Sequence, residues 1–248
     1  MSRSRTEAAR RLVETDILLG TTDIPLGLGT RAEEAGEVSP PGPAPLSSPE
    51  GGDREARLAQ LRDRHDAECP HCTSARAHTK TVFGEGSAHA KVFFVGEAPG
   101  ETEDQLGRPF VGRAGQKLDE MIKAMGYRRE DCYIANVLKS RPPNNRTPLP
   151  AEIAQCGPYL VEQILIIRPM VLVPLGGPAT QLLLKVETGI TKLRGHWTHW
   201  VPPDGSGIAP IPVMPTFHPA YLLRNYTQQT RSEVWSDLKA VVERVRSG

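Results

Sequence analysis

The sequence predicts a three-layer α/β/α fold around a short, mostly parallel, four-stranded sheet. Three observations predict it. From residue 91 onward, short apolar runs alternate with segments of helical periodicity, the pattern of strands joined by crossover helices. The runs are apolar throughout, as strands covered on both faces are. Several end on glycine or a polar loop, and ligands of such sheets bind beyond the carboxyl ends of the strands.

The elements follow in chain order. Residues 56–68 read as a helix with Leu58 and Leu61 facing inward, ending at Cys69-Pro70-His71-Cys72. Lys91-Val92-Phe93-Phe94-Val95 is the first strand, closed by Gly96. Over residues 114–125, Leu118, Met121, Ile122 and Met125 share one face, and Gly126 stops the helix. Residues 133–138 form the second strand. Pro150 suits the first turn of a helix running to about residue 167. Residues 171–175 are the third strand, closed by Gly176-Gly177, and a helix covers 178–184. Residues 212–215 make the fourth strand, which ends beside His218. Residues 233–245 form a closing amphipathic helix.

The 248 residues suffice for one sizeable core and a tail. Residues 1–54 carry six basic and nine acidic side chains, with Pro40, Pro41, Pro43, Pro45 and Pro49 close together. They are expected to form a disordered, Pro-rich acidic tail before a domain at 55–248. Ala8 and Leu12 could line a short segment there that docks a protein partner. The remainder is modestly positive, which permits nucleic-acid binding without demanding it. No apolar run approaches the ~20 residues of a membrane helix, and no secretory signal is expected. Four cysteines, two of them in Cys-x-x-Cys, suit a metal site in a reducing compartment. A monomer in the cytoplasm, at the nucleoid, is expected.

Chemistry gathers at the strand ends. Gly96-Glu97-Ala98-Pro99-Gly100 follows strand one, and Arg108-Pro109-Phe110-Val111-Gly112 follows soon after. Asn136 lies near the end of strand two, and His218-Pro219-Ala220-Tyr221-Leu222-Leu223-Arg224 follows strand four. An aromatic plate, an amide and an imidazole are what is needed to hold a planar heterocycle and draw charge onto it.

These motifs, with Gly107-Arg108, Arg113-Ala114-Gly115, Asn136-Val137-Leu138-Lys139, Arg141-Pro142-Pro143 and Leu193-Arg194-Gly195, resemble the family 4, iron–sulfur, uracil-DNA glycosylases over about residues 56–245. The resemblance implies a monofunctional hydrolase that takes uracil out of single- or double-stranded DNA and leaves an abasic site. It implies that Phe110 stacks on uracil, Asn136 reads its edge, and His218 faces O2. Glu97 and Asn136 join His218 in the catalytic set. Glu97, Ala98 and Glu103 border the base, with Ala98 where some relatives carry an acidic residue. Leu222 and Leu223 would fill the gap left by the flipped base, and Lys139, Arg141, Arg194 and Arg224 would hold phosphates. A broader deaminated-base glycosylase and a slow, uracil-trapping binding module are the alternatives.

The resemblance further implies a [4Fe–4S] cluster on four cysteines. Cys69, Cys72 and Cys156 fill the first, second and fourth positions, and Ser140 occupies the third, sixteen residues before Cys156. Cys132 lies at the other end of strand two, about 26 Å from that position. An oxygen ligand from Ser140, a three-cysteine cluster, and loss or replacement by zinc all stay open. His71 is a lesser candidate ligand. The other histidines, His65 among them, are read as surface or local structure.

Overall fold

A computed structural model of the chain describes residues 53–75 and 78–248. The tail expected over residues 1–54 lies outside the described residues except for its last two. Those two open the first helix. Asp53 caps α1 (Arg54–Glu68), its carboxylate accepting from the Glu55 amide at 3.0 Å. A short helix, α2 (Pro70–Ser74), follows directly.

Among the described residues the sheet has six strands: β1 (Glu85–Gly86), β2 (Val92–Gly96), β3 (Tyr133–Asn136), β4 (Val171–Pro174), β5 (Thr198–Trp200) and β6 (Ile211–Val213). Their order is β1-β3-β2-β4-β6-β5. The four central strands are parallel, as expected, and they are the four that the sequence predicts. The expectation of four strands in all needs correction. β1 and β5 pair antiparallel at the two edges. Both are only two or three residues long, too short for an alternating pattern to register.

Helices cover both faces. α3 (Glu101–Leu106), α4 (Arg113–Ala124), α5 (Pro150–Ile167), α6 (Gly177–Leu184), α7 (Ile190–Leu193), α8 (Pro219–Arg224) and α9 (Gln228–Ser247) complete the described chain. Every residue of β2 and β4 is buried, which is why these strands read as unbroken apolar runs. Neighbouring side chains go to opposite layers. Phe94 packs with Leu118 and Ile122 of α4 and Val234, Leu238 and Val241 of α9. Phe93 packs with Leu58 and Leu61 of α1 and Leu160 and Ile164 of α5. Among the described residues no helix is long and apolar enough to cross a membrane.

The register sets the ends level. Gly96 on β2 stands opposite Asn136 on β3, and Leu175, just past β4, bridges to Thr216, just past β6. All four parallel strands therefore deliver their following loops to one rim.

Candidate active site and metal centre

That rim encloses a cleft of about 720 Å³. Glu97, Ala98, Glu103, Phe110, Asn136 and His218 all line it. Residues scattered over more than a hundred positions thus share one cavity.

Phe110 sits in the loop between α3 and α4 with φ +49°, a left-handed conformation that costs a non-glycine residue on the order of 1 kcal/mol. Two contacts hold it there. One Glu103 carboxylate oxygen accepts the amides of Val111 and Gly112, each at 2.8 Å. Gly115 in α4 lies so close that a Cβ would come within 1.9 Å of the Phe110 carbonyl oxygen. Glu103 therefore reaches the cleft mainly as the clamp of the plate.

Asn136 is 1% exposed, and its Oδ1 has no hydrogen-bond partner. A buried orphan acceptor is costly unless a ligand supplies the donor. Gly96 makes room for it. A Cβ there would stand 2.1 Å from Asn136 Oδ1 and 2.6 Å from the Phe110 ring. Amide and plate thus meet across a bare backbone.

His218 caps α8, its Nδ1 accepting the Ala220 amide at 3.1 Å. In the neutral ring that bond puts the proton on Nε2. The ring lies 5.7 Å from that of Phe110, tilted by 35°. Burial, and then the Arg224 cation, push the His218 pKa down to about 4, while Glu103 pulls the other way. The imidazole is therefore neutral near pH 7. Burial also raises the pKa of Glu97 above the usual carboxylate value. The sequence did not point to Asn145, Arg146 and Thr147, which close one side of the cleft. Left-handed Asn144 and Asn145 turn that loop inward.

Three assignments to DNA need correction. Lys139 is fully buried, its ammonium donating to the Asn136 carbonyl at 2.7 Å and to Gln163 Oε1 at 2.6 Å. It cannot reach a phosphate. Leu222 is 4% exposed and belongs to the core, because α8 turns it inward. Arg194 is spent on Asp237 and the Glu233 carbonyl of α9, and Asp237 also accepts from Thr216 at 2.7 Å. It ties the His218 loop to α9. Leu223 and Arg224 are exposed, Arg224 lining the cleft, and Arg141 donates to Asn145 Oδ1 at 2.7 Å.

A second cluster packs around Leu138, just past β3, with Ala98 of the cleft against it. Cys69, Cys72 and Cys156 are buried as free thiols. With His65 they place four donor atoms within 4.8 Å of one another. Ser140 is fully buried beside them, 3.4 Å from Cys72 Sγ. His65, read as surface or local structure, is buried rather than on the surface and joins this donor set. Cys132 is buried at the start of β3, outside this set. The four donors could bind a metal, and the buried thiols are compatible with iron–sulfur binding.

Comparison with known proteins agrees. A model described as the uracil DNA glycosylase superfamily matches residues 83–239. A type-4 uracil-DNA glycosylase of Thermotoga maritima is 47% identical over 183 residues, covering 73% of this chain and 92% of the relative. One of Archaeoglobus fulgidus is 44% identical over 184 residues, covering 73% and 89%. A type-5 uracil-DNA glycosylase of Pyrobaculum aerophilum is 28% identical over 199 residues, covering 68% and 85%.

Proposed function

This chain belongs to the uracil DNA glycosylase superfamily, and from that membership and its cleft we infer that it hydrolyses uracil out of DNA, opening repair of the damaged site. The observation that carries the reading is the orphaned Oδ1 of Asn136, buried beside an aromatic plate. The N3–H of uracil is the donor it lacks, and the same amide's NH₂ can donate to O4. Cytosine offers an acceptor at N3 and a donor at N4, so with the amide in this orientation it would leave both amide atoms unpaired.

The base leaves the duplex before reaction, at a cost of a few kcal/mol of unstacking. It slides over Phe110. The bond between C1′ and N1 then breaks, leaving positive charge on the sugar and negative charge on the pyrimidine. The Nε2–H of His218 donates to O2, where that charge gathers. Water adds to C1′ and loses a proton, and uracil takes one up. Glu97, half-buried just past β2, would be the acidic group that orients that water. Leu223 would press into the emptied stack, and Arg224 would meet the strand.

A [4Fe–4S] cluster is the group we propose for the thiol centre, held by Cys69, Cys72 and Cys156 with one further donor. When bound it would supply rigidity. Those residues tie α1, α2 and α5 to the stretch that follows Asn136.

The test uses oligonucleotides carrying uracil, thymine or hypoxanthine, single-stranded and duplex. Free uracil with an intact backbone is expected. Strand scission without added base, or a stable protein–DNA adduct, would overturn the reading. A second expectation concerns pH. The His218 pKa is depressed from 6.5 to about 4, so its stabilising contribution is full above 6.5 and lost as pH falls through about 4. Its ring should keep the neutral NMR signature from pH 8 to pH 5. Protonation near pH 6.5 would tell against a neutral donor.

A further inference from the structure

We propose that His65, through Nε2, is the fourth ligand of the metal centre, in place of the cysteine that Ser140 supplants. Its side chain is fully buried, and Nε2 lies 3.3 Å from Cys72 Sγ. Cys72 and Cys156 are 3.8 Å apart. Around one tetrahedral ion, with metal–sulfur distances of ~2.3 Å and metal–nitrogen of ~2.0–2.1 Å, neighbouring donors stand roughly 3.5–3.8 Å apart. His65 is thus already at coordination range for a single ion, whereas a cluster, with each donor on its own iron, would need the four to spread apart.

The ring is also oriented for it. Nδ1 donates to Asp66 Oδ1 at 2.8 Å, and the same oxygen accepts from Thr81 at 2.9 Å. A carboxylate on Nδ1 fixes the proton there and leaves the Nε2 lone pair free for a metal. Tyr159 packs edge-on against the ring, centroids 4.9 Å apart. The rivals are weaker. A serine must shed its hydroxyl proton to bind as alkoxide, whereas an imidazole ligates neutral. His71 Nε2 is buried without a partner, yet it lies outside the four converging donors. His65, Cys69 and Cys72 are spaced by four and three residues, and their donor atoms converge although the backbone is extended at Cys69 between α1 and α2.

Three thiolates and one imidazole can hold a zinc ion or an iron–sulfur cluster. The proposal rests on the metal half of the reading above and not on the uracil chemistry. The full chain, purified without oxygen, is analysed for zinc, iron and sulfide, which separates the two groups. X-ray absorption at the edge of the metal found should show sulfur ligands and the outer-shell scattering of one imidazole. His65→Ala should retain at least fivefold less metal, and Ser140→Ala and His71→Ala the full amount. His65→Cys should keep the metal and lose the imidazole signature, which covers the case of an alanine variant that does not fold. A metal-free parent, a parent without the imidazole signal, or full metal in His65→Ala would overturn the proposal. Loss of uracil release in a protein that keeps its metal would count against the catalytic reading alone.

Discussion

Replacing His218 by alanine is expected to slow uracil release by about 10²–10³-fold, the usual cost of losing one preorganised donor to a developing anion. Affinity for uracil-containing DNA should change only a few fold, because O2 carries little extra charge before the bond stretches. The readout is the single-turnover rate beside equilibrium binding to the same oligonucleotide. The side chain also caps α8, so alanine removes a structural bond worth about 1 kcal/mol. His218→Asn separates the two roles. Its carbonyl can accept the Ala220 amide, yet it presents no Nε2–H. It should melt like the parent and still be slow. If either variant released uracil at the parent's rate, the imidazole would not be taking up the charge.

Asn136→Asp should disturb the choice of base more than the fold. The replacement is nearly isosteric and sits at a strand end with an empty acceptor shell. A carboxylate facing O4 sets acceptor against acceptor at a buried position, where one unmet group costs about 1–3 kcal/mol. Uracil release should fall by roughly tenfold to a hundredfold. The same carboxylate can accept from the N4 amine of cytosine. The ratio of uracil to cytosine release should therefore drop further than the uracil rate alone. A variant with the parent's ratio would show that the amide does not read the base.

Much of this was legible in the chain. The four central strands announce themselves because both faces are covered, and their apolar runs need no alternation. Phe110, Asn136 and His218 were readable as one site because parallel topology brings strand ends together. What failed to show has a common cause. The edge strands β1 and β5 have no period to detect. Lys139, Arg194 and Leu222 were assigned through the family motifs, and a motif does not say which way a side chain turns. Lysine and arginine look like phosphate ligands until a carbonyl and a buried carboxylate are found to occupy them. His65 was missed although its spacing to Cys69 and Cys72 was visible. That spacing was the available signal, although the chain is extended at Cys69 between α1 and α2.

Lys139 leaves one last consequence. Its amide donates to Cys156 Sγ at 3.1 Å, and its ammonium holds the Asn136 carbonyl. One residue therefore hangs between the thiol nest and the discriminating amide. Stress that strips the nest, such as chelation or oxidation, would be felt as lost fidelity before lost fold: a repair catalyst that still turns over but grows careless about which pyrimidine it removes. Parallel uracil and cytosine release before and after chelation would decide it, and an unchanged ratio in the stripped protein would refute it.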